Sequence, residues 1–203
     1  MLTARDPVNV VIAGVGGQGN VLVARLVGEM MLAQGLTVVI GETYGASQRG
    51  GAVMSHVRLS RGRALGPLVP AGQADLVVAL EPAEALRMLG PYGHPGVAVV
   101  TNVRPVLPLS PTGAPAAYPE VTAILAHLRR LAAAVATVPA TAIALELGDP
   151  VLANMAVLGA VAALGLLPFD RAAFVAAAGR ALPAARLDVN LRAFDVGAAQ
   201  VAR

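Results

Sequence analysis

A glycine-rich hexad, Gly14-Val15-Gly16-Gly17-Gln18-Gly19, stands between a compact β-branched run, Val8–Ala13, and a stretch from Val21 to Gln34 with apolar residues at helical spacing. A strand that enters a helix through G-x-G-x-x-G constrains the chain more than any other feature here. The turn it makes aims backbone N–H donors from a helix N-terminus at whatever sits beyond it. A strand with no polar alternation is buried on both faces, as in a parallel sheet covered by helices. The predicted fold is therefore α/β, Rossmann-like and doubly wound.

Further strands are predicted at Leu36–Ile40, Ala52–Leu59, Asp75–Leu80 and Gly96–Thr101, with a short last one at Val135–Val138. Helices are predicted from Ala83 to Leu89 and from Glu120 to Ala133. A helical C-terminal part follows from about Thr141, divided by Gly148-Asp149-Pro150, Pro168-Phe169-Asp170 and Pro183. Strands alternating with helices argue for a mainly parallel sheet closed by a helical tail. With 203 residues and no linker or internal repeat, the whole chain, 1–203, is expected to form one domain. Within Ala52–Leu59, Val53, Ser55, Val57 and Leu59 alternate with Met54, His56 and Arg58. That strand is expected to keep one polar, usable face.

Composition limits what the chain can do alone. The absence of cysteine excludes disulfides, thiolate catalysis and a cysteine-ligated iron–sulfur cluster within it, and the absence of lysine excludes a Walker lysine or a Schiff base. All 15 basic residues are arginine and they are scattered, while aromatics make up only 3%, so nucleic-acid binding is not expected. Charged residues are 13% of the chain, against roughly 25% in average globular proteins. Either the core is unusually large or much of the surface meets another protein. The uncharged stretch Pro150 to Phe169 approaches membrane-spanning length, but Asn154, Gly159, Gly165 and the prolines at both ends favour a buried helix and no membrane contact. The N-terminal residues lack a secretory pattern, so a cytoplasmic location is expected.

On spacing alone the hexad has two readings. Glu42 follows Gly19 by 23 positions, close to where a dinucleotide-binding domain keeps the acid that holds a ribose hydroxyl. The alternative is that the glycines only let the first helix pack on the sheet and that Glu42 is a solvated loop acid. The segment Gly41 to Gly51 is expected to be that loop. Its run Glu42-Thr43-Tyr44-Gly45-Ala46-Ser47-Gln48-Arg49-Gly50-Gly51 sets an acid, a phenol, an amide and a guanidinium among small residues, too polar for a mere connector. Arg49 can present its guanidinium to a carboxylate, a phosphate or an acidic partner, or can pair with Glu42 and tie the loop down.

Together, Gly16-Gly17-Gln18-Gly19, the block Glu42 to Gly51 and Ser55-His56-Val57-Arg58 resemble the gamma domain of pyruvate/2-oxoacid:ferredoxin oxidoreductases. Ser55 to Arg58 is most similar to small subunits of the indolepyruvate branch, whereas Glu42-Thr43-Tyr44 drifts toward pyruvate-type gamma subunits. Leu76–Leu80 with Glu81-Pro82-Ala83-Glu84-Ala85, and Ala153-Asn154 with Leu158-Gly159, extend the likeness over roughly positions 8 to 165. The resemblance implies a small subunit with no catalytic residue and no metal of its own. A large partner subunit would carry thiamine diphosphate and iron–sulfur clusters, oxidatively decarboxylate a 2-oxoacid to an acyl-CoA and pass electrons to ferredoxin. It further implies that the two motifs lie at the subunit interface or near CoA. The candidate binding residues are thus Gly14, Gly16, Gly17, Gln18, Gly19, Glu42, Tyr44, Gln48, Arg49, Gly50 and Gly51.

Two rival readings stand beside this one: an independent dinucleotide-binding reductase or sensor using Gly14 to Gly19 and Glu42, and a scaffold whose loops only dock partners. The apolar composition also makes self-association of the isolated chain an expectation. Of the single residues, His56 is expected to serve structure, His94 and His127 to bind no metal, and Asn154 to hydrogen-bond a neighbouring loop rather than a ligand.

Overall fold

The computed structural model describes residues 5–44, 51–107 and 117–201. The expected entry holds: β1 (Val8–Val15) runs into the glycine turn, and α1 (Asn20–Ala33) leaves it. Every residue of β1 up to Gly14 is buried, as a strand covered on both faces must be. From α1 the chain returns into β2 (Thr37–Tyr44) and then β3 (Ala52–Ser60). Gly41 to Tyr44, expected in a loop, instead extend β2. Their backbone groups find a ladder on β3, where Gly41 faces His56, Glu42 faces Ser55 and Tyr44 faces Val53. Cross-strand pairing of this kind overrides the glycine's weak strand preference.

The chain continues through β4 (Leu76–Ala79), α2 (Pro82–Tyr92), β5 (Ala98–Asn102), α3 (Val121–Leu131) and β6 (Ala134–Val138). The six strands lie in the order β2-β3-β1-β4-β5-β6. β1, β4, β5 and β6 are parallel, and β3 is antiparallel to both of its neighbours. The sheet is therefore mainly parallel, with one reversed strand inserted between β1 and β2.

Helices cover both faces. Val10 and Ile12 of β1 and Val78 of β4 pack with α1 and with the C-terminal helices α4 (Ala140–Glu146), α5 (Ala153–Ala163), α6 (Arg171–Ala181) and α7 (Ala184–Val201). Val11, Val77 and Val99 face the other way, against Ala85, Met88 and Leu89 of α2 and Ile124 and Leu128 of α3. α5 sits at the centre of the larger layer, with Asn154 through Val161 all buried. This burial accounts for the uncharged stretch around it, and no helix among the described residues is long and apolar enough to cross a membrane.

The polar face of β3 is where expectation and structure part. His56 and Arg58 are almost fully buried, not presented to a partner. An irregular segment, residues 61–74, covers that part of the sheet and brings backbone groups with no ladder of their own. His56 Nδ1 accepts from Val69 N at 3.3 Å, while Arg58 Nη1 donates to Gly66 O at 3.0 Å and Leu68 O at 3.3 Å. Arg58 Nε also donates to Asn9 Oδ1 at 2.9 Å on β1. The polar side chains thus take the place of a covering helix's internal hydrogen bonds.

Candidate functional site

At the carboxyl ends of β1, β4 and β5, where ligands gather in open α/β sheets, the glycine turn opens beside a cavity of about 370 Å³. Its walls include Gly17, Gln18, Arg104, Val106, Thr141 and Asn154. They come from four separate pieces of chain that the fold returns to this end of the sheet.

The turn is held by its own glutamine. Gln18 Oε1 accepts from Val15 N at 2.8 Å and Gln18 Nε2 donates to Leu80 O at 3.1 Å. Both ends of the amide are thereby used to lock β1, the turn and β4 together, so Gln18 shapes the site. Asn20, at the start of α1, does similar work by donating to Ile12 O at 3.4 Å and Val53 O at 3.2 Å. Gly17 and Gly19 take positive φ, 104° and 85°, a conformation that suits glycine.

The second motif reaches the same place. Gly16 N donates to Gly51 O at 2.9 Å, because antiparallel pairing sets Val15 opposite Ala52 and brings the end of one motif to the start of the other. Gln48, Arg49 and Gly50 lie outside the described residues. Tyr44 is the last residue of β2, and Glu42 lies within that strand with an exposed side chain. In a dinucleotide-binding domain the ribose acid closes a strand adjacent to β1. Here β3 intervenes, which moves Glu42 about 10 Å across the sheet from β1 at two strand spacings. That geometry argues against the dinucleotide reading.

Two buried polar atoms beside the turn have no hydrogen-bond partner: Asn20 Oδ1 and Asn154 Nδ2. Asn154 is 1% exposed. The expected bond from its amide N–H to a neighbouring loop is not made, and an unmet buried donor of this kind costs roughly 1–3 kcal/mol. A site whose acceptor arrives from outside the chain tolerates that cost. The requirement for an unmet donor is a distance, which sequence does not display.

Asn102, missed by sequence reasoning, ties together two residues that line the cavity, Leu80 and Thr141. It donates to Leu80 O at 3.1 Å and Thr141 Oγ1 at 2.8 Å, and its Oδ1 accepts from Val103 N at 3.0 Å. An asparagine ending an otherwise apolar strand was the available signal. Behind the Arg104–Val106 wall lies a buried carboxylate, Glu81, which accepts from Glu84 N at 3.0 Å, from Val106 N at 3.2 Å and from Tyr118 OH. Burial and the bond to Glu81 push the Tyr118 phenol far above its ordinary value.

The lining offers backbone donors, two amides and one guanidinium. Such a set has the donors to take an anion or a carbonyl oxygen. Among the described residues, no group of three or more histidines or carboxylates is placed to hold a metal. His94 and His127 engage local backbone, at Gly96 N and Ala123 O respectively.

The sequence model of the pyruvate ferredoxin/flavodoxin oxidoreductase family matches residues 9–200. An indolepyruvate oxidoreductase subunit IorB of Archaeoglobus fulgidus is 37% identical over 189 residues, 93% of this chain and 92% of that protein. A protein of the same name from Methanothermobacter thermautotrophicus is 36% identical over 189 residues, 93% of this chain and 95% of that one. Among solved structures, the gamma subunit of a keto/oxoacid ferredoxin oxidoreductase from Geobacter sulfurreducens superposes with a TM-score of 0.70 at 24% identity, covering 97% of each chain. The 2-oxoglutarate:ferredoxin oxidoreductase of Magnetococcus marinus, solved with 2-oxoglutarate, coenzyme A and succinyl-CoA bound, gives 0.69 at 24% identity. There the match covers 97% of this chain but 31% of that one. At these identities the solved structures speak for the fold.

Proposed function

Because this chain belongs to the pyruvate ferredoxin/flavodoxin oxidoreductase family, we propose that it is the small subunit of a 2-oxoacid oxidoreductase complex acting on indolepyruvate or a related aryl 2-oxoacid. The observation that carries this reading is the full-length likeness to indolepyruvate oxidoreductase subunits, which share over a third of their residues with it. The redox groups belong to a large partner subunit. A chain with no cysteine offers no thiolate ligand to an iron–sulfur cluster. Ferredoxin is reached through that partner.

The cavity beside the glycine turn is the contact point for CoA at the subunit interface. Its residues fit such a group. The backbone at Gly17 and the Arg104 guanidinium suit a phosphate, and the unmet Asn154 amide suits a phosphate or carbonyl oxygen. CoA would supply the thiol that takes up the acyl group, while Gly17, Asn154 and Arg104 bind and orient it. The second motif, whose Gly51 O accepts from Gly16 N of the turn, extends this surface toward the partner.

Purification of the tagged chain from its host, followed by iron, thiamine and nucleotide analysis, tests the subunit reading. Recovery of a large partner with iron and thiamine diphosphate is the expected result. A lone chain that retains a nicotinamide or flavin would overturn it. In the purified complex, Asn154→Ala is expected to raise the KM for CoA, and an unchanged KM would remove the cavity from the site.

A further inference from the structure

One carboxylate fastens together three separate pieces of chain behind the cavity. Glu81, 1% exposed, follows β4 and caps α2 through Glu84 N at 3.0 Å. Its Oε1 accepts from Val106 N, in the segment after β5, and from Tyr118 OH, in the segment before α3. Tyr118 OH accepts in turn from Ala83 N at 3.3 Å. No arginine stands within ion-pair distance of Glu81 among the described residues; its partners there are N–H and O–H donors.

A buried carboxylate without a cation is retained at a cost that must be met by its donors. Capping α2 alone does not need it, since a serine, threonine or asparagine caps a helix as well. What only a carboxylate does here is accept from three donors on three segments at once. One of those donors is the amide of Val106, which together with Arg104 forms a cavity wall.

We infer that Glu81 is a positioning residue for the CoA-side cavity, holding the Arg104–Val106 wall against the glycine turn without itself touching the ligand. The inference rests on the cavity being the CoA contact proposed above. It assigns to Glu81 and Tyr118 a role in ligand affinity that lies one layer behind the cavity surface.

The test uses the assembled complex carrying Glu81→Gln, which keeps the shape but turns an N–H₂ toward one of the three donors. The KM for CoA is expected to rise about tenfold, in line with the loss of one charge-assisted hydrogen bond, with kcat falling by less. Hydrogen exchange across residues 103–107 should speed up in the same variant. Tyr118→Phe, which leaves the α2 cap in place, should shift both readouts in the same direction by less, and it serves if Glu81→Gln does not fold. A KM unchanged by either variant overturns the inference, as does unchanged exchange at 103–107. If the complex responds to Asn154→Ala but not to Glu81→Gln, the inference alone falls; if it responds to neither, the cavity is not the CoA site.

Discussion

Asn154 Nδ2 stands directly under Gly19: a Cβ built on that glycine would meet it at 2.3 Å. The first residue before α1 and the second residue of α5 thus share one small volume, although 135 positions separate them in the chain. The backbone at Gly19 is also left-handed, with φ 85°. Gly19→Ala is expected to cost about 2 kcal/mol or more, combining left-handed strain with the clash. In an Asn154→Ala background the clash is gone and about half of that cost should disappear. Urea denaturation of the four chains measures the coupling. Purely additive effects would mean the two residues do not meet.

The same kind of contact holds the C-terminal layer. A Cβ on Gly159 would lie 2.0 Å from Phe194 O, and one on Gly197 would lie 2.0 Å from Ala156 O. α5 and α7 therefore pack backbone to backbone, next to the stacked rings of Phe174 and Phe194 at 4.0 Å. Backbone atoms cannot swing aside as a side chain does. Either Gly→Ala substitution should destabilise by about 3 kcal/mol or more, beyond the usual range for overpacking. Thermal unfolding reads this directly, and a Tm unchanged by Gly159→Ala would refute the close crossing.

Much of this architecture could be read from local pattern. Val8–Ala13, the glycine turn and the helix after it declare themselves through residue type and period, and so do the prolines that part the C-terminal helices. The alternation in β3 was equally legible, with Val57 and Leu59 facing the core as expected. Its meaning was not. Whether His56 and Arg58 meet solvent or a covering segment depends on where residues 61–74 return, a tertiary fact. The insertion of β3 between β1 and β2 is likewise a non-local pairing, and it removes the basis for reading Glu42 as a ribose acid. Asn154 shows the same limit: its identity suggested a hydrogen bond, but only the fold reveals that its donor has no acceptor.

Glu84 is held in an unfavourable charge state. Its Oε2 is buried without a partner, and Arg87 reaches Oε1 only at 3.5 Å from a largely exposed position. Burial pushes its carboxyl above the ordinary 4.5, Arg87 partly opposing and Glu81 adding to the rise. The folded state therefore holds this proton more tightly than the unfolded chain. Stability from the protonated form is present below 4.5 and is lost as pH climbs through the raised folded value. Glu84→Gln should stabilise the protein near neutral pH by about 1 kcal/mol, with no gain near pH 4. Equal stability of the two chains at neutral pH would contradict this.

His56 supplies the opposite sign. Burial first, and then the neighbouring Arg58 guanidinium, hold its imidazole below the ordinary 6.5. Its Nδ1 must stay unprotonated to accept from Val69 N, while its ring meets Tyr92 edge-on at 5.2 Å. As pH falls below 6.5 the unfolded chain takes up a proton that the folded chain refuses, so stability drops across the window down to the lowered folded value. Above 6.5 the two states bind this proton alike and the contribution is flat. His56→Asn keeps an acceptor near Val69 N but does not titrate, so this part of the acid sensitivity should vanish. The check is the urea midpoint of both chains at several pH values from about 5 to 7.5, the range in which histidine titrates. If His56→Asn follows the same slope as the parent chain, the loop over β3 is held by something other than the neutral imidazole.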